Sequence, residues 1–316
     1  MVGGLLTFAV LWTNHLSHVD SVSCYLGSMA RKPDIGLRQG RRLCQMRHED
    51  RLAFIAEGLP ILLASAQGFQ DAAARLHDRP REEDVMVSFA DEEAAKILIL
   101  MDIVRCPSSQ VDQHIGKLMR WFYDHLARLI YAKAASWKPM SVSQLQRYVE
   151  TECEEHTLEG FAGECILPGG PVHERESALY ADIQSYDDGT LAWHEPRTRP
   201  SLFGQKESDA LRLAISMQRL GMLSLDGLRI VASVWNGTRF SEEQTPHMSE
   251  TLTQTTLERV EAAGLIPDSV EDEDVVTLYK RWQLPMYELQ VTPTIQTMEE
   301  LRETQVRMLN NEIGGW

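Results

Sequence analysis

Residues 91–131, DEEAAKILILMDIVRCPSSQVDQHIGKLMRWFYDHLARLIY, place apolar side chains every three to four positions, with one interruption at Cys106-Pro107-Ser108-Ser109. Apolar residues at that spacing form one face of a helix, and a proline disfavours helical backbone in the residue before it. The stretch therefore predicts two helices joined by a short turn, the first ending near Val104 and the second spanning about 110–136. Both carry charged residues among large apolar ones, so the hairpin combines a core-forming stripe with a dense polar cluster.

The same periodicity extends in both directions. Leu52, Ile55, Leu59, Leu62 and Leu63 predict an amphipathic helix from His48, with Pro60 kinking it or starting a new segment. A helix from about 82–85 to 104 follows, and Ser141 is placed to cap another over about 141–156. Four helices with short connections predict an antiparallel bundle over 47–162. The Gly/Pro-rich segment 163–176 reads as a boundary, followed by two extended stretches, about 178–184 and 190–194. They flank Asp187-Asp188-Gly189, a β-hairpin signal. Helices resume at about 206–220, 223–235 and 248–263, with a last one at about 297–311, and the acidic segment 268–274 reads as a loop. The expected architecture is mostly α, an antiparallel helical bundle with a small β-hairpin and a helical C-terminal region. Its parts are 1–46, 47–162, 163–205 and 206–316. For 1–46, with its apolar run 2–12 and a basic stretch to Arg42, three readings stand: a disordered arm, an arm packed over a groove, or an extension upstream of a start at Met29 or Met46. An arm with little structure of its own is the expectation. The apolar run is shorter than the ~20 residues that cross a bilayer, and no membrane role is expected.

The net charge of −15 argues against general coating of nucleic acid. Charge is uneven, however: residues 111–147 hold six Lys/Arg against Asp112 and Asp124. A small cationic site on an acidic body is compatible with binding a phosphodiester at one place; a solvated helix face is the plainer account. The five cysteines are irregularly spaced with no CxxC, which suggests neither a disulfide framework nor a zinc site and fits a reducing cytoplasm. No phosphate-cradling glycine loop and no serine-nucleophile elbow occurs, so no cofactor or metal is expected.

Arg120 and His125 stand five residues apart. An arginine neutralises a phosphate, and a histidine exchanges protons near neutral pH, the two functions that metal-independent RNA cleavage requires. On one continuous helix the pair would lie ~140° apart around the axis, converging only if the arginine reaches round or a second copy supplies partners. His125 and Arg128 share a face; Asp124 is placed to tune the histidine or to pair with Arg128. The plainer alternative is a half-buried histidine satisfied by Glu92 or Glu93 across the helix pair.

Taken together, Glu92-Glu93-x-x-Lys96, Trp121-Phe122-x-x-His125-x-x-Arg128, Arg175-Glu176-Ser177-Ala178-Leu179-Tyr180-x-Asp182 and Trp193-His194-Glu195-Pro196 resemble the AbiV-type abortive-infection proteins of the HEPN superfamily of helical bundles. The resemblance covers about 47–196. Arg128 stands where that pattern has lysine, keeping charge but altering geometry. The resemblance implies a homodimer, antiphage defence, and an R-x(4–6)-H ribonuclease site at a dimer cleft. Arg120 and His125 would be its catalytic pair, with Glu92, Glu93, Lys96, Asp124 and Arg128 around them. RNA, such as tRNA or rRNA, would be the substrate, and a phage protein or cognate inhibitor a partner. Many HEPN proteins are non-catalytic, so the alternative is a helical interaction module in which the same polar residues are structural.

Overall fold

The structure is a computed structural model describing residues 35–139, 141–154, 156–159, 165–168, 170–186, 189–196, 207–238, 246–294 and 297–313; the expectations for 1–34 lie outside them. The helices are α1 (Ile35–Gln45), α2 (His48–Ala73), α3 (Pro80–Arg105), α4 (Val111–Trp121), α5 (His125–Ala134), α6 (Val142–Glu152), α7 (Gly170–Leu179), α8 (Asp209–Arg219), α9 (Leu225–Trp235), α10 (Pro246–Ala262), α11 (Asp272–Arg281) and α12 (Met298–Ile313). The strands are β1 (His156–Glu159), β2 (Cys165–Pro168), β3 (Asp182–Tyr186) and β4 (Leu191–His194). The fold is thus mostly α with a small antiparallel sheet, as the periodicity predicts.

Helix α3 is the axis of the molecule. Every side chain from residue 97 to 105 is buried, so its C-terminal half is apolar nearly all round, the pattern of a helix enclosed on all sides. It packs against α2, α4, α5, α7, α8 and α9. Ala90, Ala94 and Ala95 are fully buried and let neighbouring helices approach its middle closely.

Helix α2 continues through Pro60, which is exposed, so no new segment begins there. By length and composition α2 is apolar enough to cross a membrane, but a core helix passes the same test. Its Leu52, Ile55, Leu59, Leu63 and Ala66 are buried in the protein core.

Four sequence expectations are corrected. Residues 35–45 form a helix rather than an unstructured arm. It lies on α4 at a glycine crossing, where a Cβ on Gly40 would come 2.9 Å from the Gly116 Cα. The helix predicted over 110–136 is two helices, because Asp124 starts a new one: its carboxylate accepts from the Ala127 amide at 2.8 Å, the N-cap bond. The segment read as a linker holds β2 and α7, β1 lies within the stretch assigned to the bundle, and the sheet has four antiparallel strands in the order β1-β2-β3-β4. The expected hairpin is its β3–β4 pair, with Ile183 opposite Trp193 and Gly189 at φ +83° where the left-handed region favours glycine. The acidic segment likewise ends inside a helix, since Asp272, Glu273 and Asp274 form the first turn of α11, where carboxylates suit the positive end of the helix dipole.

The C-terminal region shares the bundle's core. Asp102, fully buried on α3, accepts from Tyr131 Oη at 2.8 Å and from the Met286 amide at 2.7 Å, and also binds Arg105. Arg105 donates to the Gln283 carbonyl at 2.7 Å. Its guanidinium lies 4.8 Å from the ring centres of both Trp235 and Trp282. This buried ion pair joins the middle of the sequence to its last third, so the division expected at residue 206 does not separate two cores.

Candidate functional site

The polar cluster forms where α3, α5 and α7 meet. Glu92 faces inward from α3 and its side chain is only 4% exposed. A carboxylate so placed needs partners for both oxygens, and the neighbouring helices supply them. Arg175 Nε of α7 donates to Oε1 at 2.6 Å. On Oε2 converge His125 Nδ1 at 2.7 Å and an Arg128 amino group at 3.1 Å, both from α5.

His125 is the first residue of α5, and its side chain is 56% exposed. Its Nδ1 also lies 2.9 Å from Arg128 Nη2, but one ring nitrogen cannot donate to Glu92 and accept from Arg128 at once. The carboxylate is the stronger acceptor, so Nδ1 carries the hydrogen and donates to Glu92, while Arg128 donates to the same oxygen and to the Asp124 carbonyl at 3.2 Å. The neutral ring then keeps its lone pair on Nε2. A carboxylate that fixes one histidine nitrogen and leaves the other for proton transfer is an arrangement that general acid–base sites use.

The remaining sequence-selected residues are placed around this core. Glu93 and Lys96 pair with each other one helical turn apart, and the Lys96 ammonium sits 5.6 Å from the Phe122 ring centre. Asp124 caps α5 rather than tuning His125 or pairing its carboxylate with Arg128. Arg120 is exposed in the last turn of α4, and the chain turns through Phe122 and Tyr123 before His125. The arginine and histidine thus flank a break between two helices, and the 140° separation reckoned on one straight helix does not apply. The half-buried histidine of the plainer reading is half right: the ring is paired with Glu92, but it is exposed.

Arg175 is the residue that spacing alone did not assign to the site. It stands in the Arg175-to-Asp182 motif, and the only signal for its role was that motif's company with the Glu92 and His125 motifs. Lys133 secures the helix that carries Arg175, bridging Glu152 of α6 at 3.3 Å and Glu174 of α7 at 2.8 Å. Beside the cluster, α3, α5 and α7 enclose a cavity of about 560 Å³ that shares Arg175. Asp91 lines it and binds Ser208, the N-cap of α8; burial pushes its carboxyl up to about 6. Among the described residues no three His, Cys, Asp or Glu side chains group as a metal site would need. Trp235 and Trp282 are core residues, whereas Trp193 on β4 is 79% exposed.

These elements define a helical bundle with a carboxylate-anchored surface histidine, an arginine on the same helix and two on adjoining helices. Compared with family models, with curated proteins and with solved structures, the chain matches none.

Proposed function

We propose that the protein is a metal-independent endoribonuclease of the HEPN type, acting in the cytoplasm as a homodimer in antiphage defence of the AbiV kind. The observation that carries the chemistry is the exposed His125, held through Nδ1 by buried Glu92. In this reading Nε2 removes the proton from a ribose 2′-hydroxyl as that oxygen attacks the adjacent phosphorus. The bond to the 5′-oxygen breaks, leaving a 2′,3′-cyclic phosphate, and the 5′-oxygen takes up a proton from His125 of a second copy or from water. Arg120 neutralises the phosphate oxygens as charge builds on them. Glu92 orients the ring and stabilises it when protonated; Arg128 and Arg175 hold Glu92 in place. No step calls for a metal. The substrate class is RNA, such as tRNA or rRNA.

The test is RNA cleavage by the purified protein in EDTA, comparing wild type with Arg120→Ala and His125→Ala. Cleavage in wild type, lost in both folded variants, supports the reading. Intact RNA with wild type sinks it.

A second reading is favoured by one observation: Glu92 ties α3, α5 and α7 together as a structural ion cluster would. The protein would then be a non-catalytic module that binds a phage or host protein or a cognate inhibitor. His125→Ala would in that case lower the melting temperature markedly, which the exposed ring of the catalytic reading does not require.

A further inference from the structure

Helix α2 carries more apolar surface than the bundle covers. Between Arg51 and Asp71 its one charged residue is Glu57, yet only 28% of its most apolar stretch is buried. Phe54 and Ile61, two turns apart on one face, are both exposed, Ile61 by 71%. Gly58 lies between them, with open space where a Cβ would stand. These residues line a groove of about 450 Å³ between α1, α2 and α4, to which the turn after α4 adds the half-exposed Tyr123. Protruding side chains and a hollow thus share one patch, as a self-complementary surface requires.

The size and charge of the patch narrow what covers it. Two half-exposed aromatic rings and one open isoleucine present roughly 300 Å² of apolar surface. That is over a third of the roughly 800 Å² that each partner of a standard dimer buries. Ala64, Ser65 and Gly68 extend the exposed face to ~21 Å of helix. The groove is lined by one cation, Arg42 of α1, and one anion, Glu57 of α2, both exposed. Among the described residues neither has an ion-pair partner. On a body of net charge −15, a locally neutral face is where two copies approach with least repulsion. A two-fold axis uses the pair twice, setting each copy's Arg42 against the other's Glu57. Lipid fits less well, because an ionised carboxylate within the face is costly against hydrocarbon and a neutral rim gives no pull toward anionic headgroups.

We propose that this groove is the face through which two copies of the chain associate, with Phe54 and Ile61 as apolar anchors and reciprocal Arg42–Glu57 pairs beside them. Tyr123 stands two residues before His125, so the interface adjoins the turn between Arg120 and His125. Its meaning for cleavage rests on the ribonuclease reading, but association is measurable without RNA.

The test is sedimentation velocity of the full-length protein. Wild type is expected to be a dimer at micromolar concentration. Ile61→Asp, at an exposed position, should weaken the dimer about a hundredfold with helical dichroism unchanged. Arg42→Glu and Glu57→Arg should each self-associate about tenfold more weakly than wild type, because each sets like charges opposite one another. Mixed together, the two variants should form a dimer as tight as wild type, since each supplies the charge the other lacks. Misfolding of either variant would not be cured by mixing. A monomeric wild type overturns the proposal; if that monomer binds phosphatidylcholine vesicles and Ile61→Asp does not, the face belongs to lipid. A dimer indifferent to Ile61→Asp, or charge variants that gain nothing from mixing, overturn it as well. A dimer that leaves RNA intact keeps the interface and removes the nuclease. Cleavage by a monomeric wild type keeps the nuclease and removes the interface.

Discussion

At the scale of single residues, Glu92 and His125 separate structure from chemistry. Glu92 is buried under two guanidinium groups and an imidazole, so Glu92→Ala would leave Arg128 and Arg175, both largely buried, without their shared carboxylate. Breaking a buried ion pair in this way costs about 3–5 kcal/mol, and we expect a loss of that order in chemical denaturation. His125→Ala removes an exposed ring and should change stability by less than about 1 kcal/mol. Comparable losses in the two variants would show that His125 is structural. Asp91 tests the local electrostatics. Burial raises its folded-state value to about 6 from 3.8. Between those values the folded chain holds a proton that the unfolded chain has released, so stability falls as pH rises through that window. The penalty is absent below ~4, is complete above ~6, and amounts to about 2–3 kcal/mol at 1.36 kcal/mol per unit. Asp91→Asn should therefore be more stable than wild type at pH ~7.5 and nearly equal to it at pH ~4. An advantage that does not vary with pH would contradict the buried-carboxylate account. The sequence showed Glu92, His125 and Arg128 as candidates because their side chains fall on apolar helices at contact spacing. It did not show that Asp124 is a cap, because a cap is defined by backbone conformation that one position does not reveal.

At the scale of elements, the break between α4 and α5 decides where the site faces. Apolar periodicity is unbroken across residues 118–131, which is why one long helix was expected. The apolar stripe survives because both short helices bury their stripes against α3 and against each other. Asp124 sets the start of α5 through its bond to the Ala127 amide. Asp124→Ala should cost about 1 kcal/mol and disorder the first turn of α5, which carries His125. We expect RNA cleavage to fall more than stability does in this variant; an active variant of reduced stability would show that the cap does not position the ring. Helix α7 was hidden for the opposite reason. Gly169-Gly170-Pro171 reads as a loop, yet proline is favoured in the first turn of a helix, where its missing N–H is no loss. Gly170 takes φ +26° just ahead of it, and the Arg175 side chain follows one turn on.

At the scale of the molecule, the buried Asp102–Arg105–Tyr131 group and the Trp235–Trp282 pair bind the bundle to the C-terminal third. Helical segments in that third were legible from periodicity, but their shared core was not, because residues 105 and 283 meet only through tertiary packing. The two parts should therefore unfold together. Tryptophan fluorescence and far-ultraviolet dichroism are expected to give one coincident transition in urea, whereas two separated transitions would establish independent domains. The account as a whole depends on a buried carboxylate that presents a surface histidine for proton transfer. The measurement that tests this most directly is nitrogen-15 NMR of the His125 ring in the intact protein, alongside Glu92→Gln. The account predicts hydrogen on Nδ1 and a bare Nε2, a state lost when Glu92 becomes glutamine. A ring with hydrogen on Nε2 in wild type, indifferent to the change at Glu92, would contradict it.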